Sequence, residues 1–114
     1  MQEEIDRLLA EVQRAKLSDR RTEPRQPFVR PVKVHFVNGP SLSAFSKDIS
    51  AQGIGIVCEI IMKTGSLATL EIHSTKGDPV LLRSEVRWCD PYGQGWFLIG
   101  WKFIAAGAPS IAWS

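Results

Sequence analysis

Two short clusters carry the residue types best suited to binding chemistry. The first is Arg20-Arg21-Thr22-Glu23-Pro24-Arg25. In an extended segment Arg21 and Arg25 project to the same side, because side chains alternate with period two. Their Cα atoms stand about 13 Å apart at full extension. A guanidinium offers planar, bidentate donors and stays charged, so a pair can clamp a phosphorylated ligand. It can also donate to guanine O6 and N7, or stack over a base. The second cluster is Asp48-Ile49-Ser50-Ala51-Gln52-Gly53. There Asp48 and Ser50 face one way and Ile49 the other, and Gly53 permits a backbone turn that other residues resist. A carboxylate beside a hydroxyl can accept hydrogen bonds from guanine N1–H and its exocyclic amine. Taken singly, each cluster has a plainer reading: a solvated basic linker, and a local Asp/Ser turn.

The charge distribution singles out the first cluster. The formal net charge is only +2. Residues 14–33 nevertheless hold seven basic side chains (Arg14, Lys16, Arg20, Arg21, Arg25, Arg30, Lys33) against Asp19 and Glu23, which is +5. The remainder, with seven basic and ten acidic residues, sums to −3. A near-neutral chain thus concentrates its cations in one stretch, a candidate anion site.

Nothing in the sequence points to catalysis. His35 and His73 stand isolated among strand-like residues, and no nucleophile–base set appears. Cys58 and Cys89 read first as reduced core thiols; a disulfide, or a zinc site with His35 and His73, are the alternatives. Neither CxxC nor HxxxH spacing supports a metal. The expectation is a non-enzyme with no catalytic residue, metal or cofactor.

These clusters need elements to position them. A length of 114 residues predicts one domain. The chain has no apolar run near the 18 or so residues of a membrane span and no apolar signal region, so a cytoplasmic protein without membrane contact is expected. Residues 1–17 form an N-terminal helix, with Ile5, Leu8, Leu9, Val12 and Leu17 at helical spacing. Met1, Ile5, Leu8, Val12 and Ala15 also fit heptad-like steps, so the helix packs either on its own domain or on a second copy as a homodimer. Pro24, Pro27 and Pro31 then forbid helix, leaving residues 18–31 as a solvent-facing, partly extended loop that bears the arginines.

Residues 32–104 have β texture. Six strands are expected at 32–37, 42–47, 54–61, 67–73, 80–90 and 95–104, with Asn38-Gly39 and Lys76-Gly77-Asp78 as turns. Short strands at near-regular spacing predict a mainly β fold, a six-stranded antiparallel barrel with the N-terminal helix. Phe28, Phe36, Phe45, Trp96, Phe97, Trp101 and Phe103 are expected mostly in its core, with Trp96 and Trp113 as alternatives for partner binding. Residues 105–114 form a short tail.

Arg-x-x-x-Arg before the first strand, followed 23 residues after Arg25 by Asp-x-Ser-x-x-Gly at a strand junction, resembles the PilZ family. The resemblance runs from about Arg20 to Ile104, and includes the Val86-x-Trp88 and Ile99-Gly100-Trp101-Lys102-Phe103 strands. It implies a six-stranded barrel that binds the bacterial second messenger cyclic di-GMP. Arg21 and Arg25 would hold phosphates and guanine edges, Asp48 and Ser50 a base, and Gly53 the turn. Arg20 stands where an arginine in similar proteins engages a second, stacked nucleotide, so the resemblance points to an intercalated cyclic di-GMP dimer. Trp88 is either pocket wall or buried barrel residue. The family often ends in a helix, from which the Gly107- and Pro109-containing tail departs.

The reading that follows is a regulator whose arginine loop closes over cyclic di-GMP and signals to a protein partner. The alternative is a PilZ-like adaptor that ignores nucleotide. A third reading, binding of a nucleic acid polymer, is disfavoured because the surface outside the loop is net acidic.

Overall fold

Strands with one wet and one dry face must find a closed arrangement or leave raw edges, and here six of them close. The computed structural model describes residues 2–13, 25–75 and 77–106. Helix α1 (Gln2–Gln13) is followed by β1 (Gln26–Pro27), β2 (Pro31–Phe36), β3 (Ser41–Ile49), β4 (Gly53–Cys58), β5 (Leu67–Ile72), β6 (Val80–Gly93) and β7 (Trp96–Ala106). The sheet order is β1-β3-β2-β5-β6-β7-β4, and an additional β3–β4 pairing closes β2 to β7 into a six-stranded antiparallel barrel. The expected fold class is therefore the observed one, with β1 added outside the closed ring.

The inward positions form one continuous core. Val32 and Val34 of β2, Ile54 and Ile56 of β4, Leu70 and Ile72 of β5, Leu82 and Val86 of β6, and Ile99 and Trp101 of β7 are all buried. Ile5 and Leu8 carry the apolar face of α1 into the same core. The Arg7 guanidinium fastens the helix by donating to the Asp78 carbonyl in the β5–β6 turn (2.8 Å). The face that a helix-mediated homodimer would use is thus occupied, at Ile5 and Leu8, by the helix's own barrel; Met1, Ala15 and the Val12 side chain lie outside the described residues. No described helix is long and apolar enough to cross a membrane.

Three expectations need correction. The segment at 25–31 is not simply a solvent-facing loop. Gln26 and Pro27 pair antiparallel with Ile49 and Asp48, and Gln26 and Phe28 are buried. The Phe28 N–H donates to Lys47 O (2.9 Å), and the Arg30 N–H donates to Ser46 Oγ (2.9 Å). Pro27, lacking an N–H, is tolerated because β1 lies outside the barrel, paired only along β3. Second, the aromatics divide. Phe28, Trp101 and Phe103 are buried, but Phe45 is 56% and Trp96 41% exposed. Trp113 lies outside the described residues. Third, β7 continues to Ala106, so residues 105 and 106 are strand rather than tail.

Candidate ligand-binding site

The site is built by two of the irregularities in the strand register, one in β3 and one in β6. In β3, Ala44 and Ser46 face inward, and strict alternation would send Asp48 the same way. The register with β4 shifts between Ser46 and Asp48, making Lys47 the extra residue of a bulge. Beyond it, Ile49 enters the core and Asp48 is released to the outer face. In β6, Leu82, Ser84 and Val86 face inward, and a second shift between Val86 and Trp88 makes Arg87 the extra residue. Trp88 is thereby turned outward, 40% exposed.

Both re-aimed side chains lie in one row across the barrel. Asp48 pairs with Gly55, Gly55 with Gly100, and Gly100 with Trp88. Four strands in register span about 14 Å. The two glycines make the row a trough rather than a ridge. A Cβ on Gly55 would stand 2.8 Å from Asp48 Oδ1, and one on Gly100 would overlap the Trp88 indole, with its Cζ2 2.6 Å away. Trp88 therefore lies flat on bare backbone at one end of the row, and Asp48 leans over Gly55 at the other.

Arg25, held at the start of β1, reaches Asp48 from the side. Its Nε and Nη2 both donate to Asp48 Oδ1 (3.1 and 2.9 Å), and Nη1 donates to Ser50 Oγ (3.4 Å). The two sequence clusters thus meet through three hydrogen bonds. Lys47 Nζ lies 3.6 Å from Asp48 Oδ2. Ser50 is buried, and its hydroxyl accepts from the Gln52 N–H (3.3 Å) while its own N–H donates to Gly53 O (2.9 Å). The Arg25 side chain remains 45% exposed. An ion pair so exposed is worth about 0–1 kcal/mol, so an incoming anion can share or replace it.

Around this contact lies an open cavity of ≈ 360 Å³, lined by Arg25, Ser50, Gln52, Gly53, Arg87, Trp88, Gly100, Trp101 and Lys102. Arg25, Arg87 and Lys102 give it a cationic lining, and the exposed face of Trp88 gives it an aromatic wall. Such a surface can hold phosphates by charge and a ring by stacking.

Arg25, Asp48, Ser50, Gly53 and Trp88 are brought together, whereas Arg20 and Arg21 lie outside the described residues. Gly53 has a different reason from the one expected. The left-handed glycines among the described residues are Gly65, Gly77, Gly93 and Gly95. Gly53 is required instead because a Cβ there would overlap the Trp101 carbonyl oxygen across the β4–β7 pairing, with the carbonyl carbon 3.3 Å away. Arg87, Lys102, Gly55 and Gly100 were not anticipated as site residues. The available signal was glycine inside two apolar strands, Ile54-Gly55-Ile56 and Ile99-Gly100-Trp101, which marks a close approach.

The cysteine and histidine side chains are disposed otherwise. Cys58 and Cys89 are free thiols, and burial pushes the Cys58 thiol up from its ordinary pKa. Cys58 is buried in the core, while His35 joins Ser41 Oγ (2.8 Å) and Glu71 Oε1 (2.7 Å) through its two ring nitrogens.

Comparison with known proteins agrees with this architecture. The family model described as PilZ domain matches residues 19–111, and the chain belongs to that family. PilZ domains are binding and regulatory units of a cyclic di-GMP receptor family. Among solved structures, the Bacillus subtilis inhibitor of motility (MotI/DgrA) is similar, with TM-score 0.64 and 19% identity over 79% of this chain and 45% of that one. This likeness shows the fold, and the chain spans less than half of that protein's length. A search of curated proteins finds no match.

Proposed function

We propose that this domain binds cyclic di-GMP in the trough and passes the binding event to a protein partner. The observation that carries the reading is the meeting of Arg25 with Asp48 and Ser50 beside a cationic, tryptophan-walled cavity. Arg25, with Arg87 and Lys102, would neutralise the phosphates. Asp48 would accept from guanine N1–H and the exocyclic amine, and the open face of Trp88 would stack on a base. Arg20 and Arg21 precede Arg25 by five and four residues, within about 17 Å of chain, and supply the remaining guanidinium contacts. Arg20 is the residue for a second, stacked nucleotide.

Signalling follows from chain connectivity. The arginines lie on the segment joining α1 to β1, and α1 is docked through Ile5, Leu8 and Arg7. Drawing that segment onto the ligand biases the surface beside the helix. The ligand shifts the equilibrium only by its preference for the closed segment over the open one.

Isothermal titration of the protein with cyclic di-GMP tests the reading. Each bidentate arginine contact is worth roughly 1–3 kcal/mol, so Arg25→Ala should weaken binding about 5- to 150-fold. No heat at tens of micromolar ligand would instead assign the protein to nucleotide-independent adaptors.

A further inference from the structure

The row beside the trough is apolar where a barrel exterior is ordinarily wet. On the outer face, Phe45 of β3 pairs with Val57 of β4, Val57 with Leu98 of β7, and Leu98 with Asp90 of β6. Trp96, two residues before Leu98, extends the same face of β7. Phe45 and Trp96 are largely exposed, and Val57 and Leu98 are half-buried. On β2 and β5 the outer positions include Lys33, His35 and Glu71, beside buried Thr69 and exposed Leu67. Three paired strands therefore present a continuous stripe of two aromatic and two aliphatic side chains.

Two exposed acids border the stripe. Asp90 closes its row, in register with Leu98 and two residues from Trp88, and Glu59 stands farther from the trough, directly after the Cys58–Phe97 pair. On the other side lies the trough with Arg25, Arg87 and Lys102. Rows on one face of a strand are about 7 Å apart. The two rows meet over Gly55, where Leu98 Cδ1 and Asp48 Oδ1 lie 3.5 and 2.8 Å from where its Cβ would be.

We infer that the stripe formed by Phe45, Val57, Leu98 and Trp96 is a docking surface for a basic amphipathic helix of a partner protein. The apolar face of that helix covers the stripe, and its basic flank meets Glu59 and Asp90. The trough row lies about 7 Å away, inside a Debye length of about 8–10 Å, so its nearer cations, Arg25 and Arg87, repel such a helix while the trough is empty. A dianionic ligand there removes the repulsion, so ligand and partner bind cooperatively at a shared border. This coupling rests on the cyclic di-GMP reading above; the docking surface itself does not.

The test uses two synthetic 18-residue amphipathic helices as fluorescent probes, one of leucine and lysine and one of leucine and glutamate. The leucine–lysine probe should bind the whole protein, and cyclic di-GMP should tighten it by about fivefold or more. The double variant Phe45→Ser/Trp96→Ser should bind the probe about tenfold or more weakly, with an unchanged thermal midpoint and an unchanged cyclic di-GMP titration. The inference is overturned if the leucine–lysine probe does not bind, if the double variant binds it as wild type does, or if the leucine–glutamate probe binds equally well. It is also overturned if sedimentation shows a dimer that the double variant abolishes, because the stripe then belongs to a second copy. Probe binding that persists in a protein deaf to cyclic di-GMP upholds the surface and refutes the nucleotide reading alone.

Discussion

Three glycines on β4 and β7 should separate stability from binding when each is changed to alanine. At Gly53 the new Cβ meets backbone, the Trp101 carbonyl oxygen, and the carbonyl carbon is only 3.3 Å away. Ordinary carbon–oxygen contact requires the strands to part by roughly 1 Å. That strains the Gly53–Lys102 and Ile54–Trp101 ladder positions, where each backbone hydrogen bond is worth about 0.5–1.5 kcal/mol net. Gly53→Ala should therefore cost about 2–3 kcal/mol, of the order of 10 °C in Tm. At Gly100 the obstacle is the Trp88 indole, a side chain that is 40% exposed and can swing into solvent. At Gly55 it is the Asp48 carboxylate, which can also move. These two variants should lose less than about 1 kcal/mol yet bind cyclic di-GMP at least about tenfold more weakly, because the trough wall and its acid are displaced. Urea unfolding gives the stabilities, and titration calorimetry of the same samples gives the affinities. Equal destabilisation at all three positions, or full affinity in Gly100→Ala, would refute the steric reasoning.

Other expectations concern the core and the charges. Leu8→Ala should destabilise the protein by about 2–5 kcal/mol, since the side chain is fully buried against the barrel; urea midpoints at constant m-value measure it. Burial raises the Cys58 pKa in the folded protein, so the contribution of this thiol to stability is complete below its unfolded value of about 8.5 and declines as pH rises through the folded value. The urea midpoint should fall as pH rises above that unfolded value, and Cys58→Ala should flatten that slope. Arg87→Glu and Lys102→Glu should each weaken cyclic di-GMP binding and its salt dependence while leaving Tm nearly unchanged, as expected for exposed charges; calorimetry at two ionic strengths checks this.

The barrel was legible because period-two alternation survives through most of each strand. Val32-Lys33-Val34 and Leu82-Arg83-Ser84-Glu85-Val86 announce their inner faces directly. The geometry of the site was less legible because it depends on breaking that alternation. A bulge at Lys47 or Arg87 leaves no mark in composition, since a cation there looks like any outward residue. Only the cross-strand register shows that Asp48 and Trp88 are turned to the same face. β1 escaped notice because two residues, one of them proline, carry no periodicity. Phe45 misled for a related reason. It precedes the bulge on the outer side, and an aromatic residue in a strand is ordinarily expected to be core. The motif residues themselves were readable, but the reason for Gly53, a carbonyl oxygen on a distant strand, was not.

The central claim is that the trough reads guanine through Asp48 and phosphate through arginine. Calorimetric titration of one protein preparation with cyclic di-GMP and with cyclic di-AMP tests it most directly, because the two ligands share their phosphates and differ in the base edge that Asp48 would contact. Binding of the guanine ligand alone, with Asp48→Ala weakening it, is the predicted result. Equal binding of both ligands, or heat from neither, would contradict it.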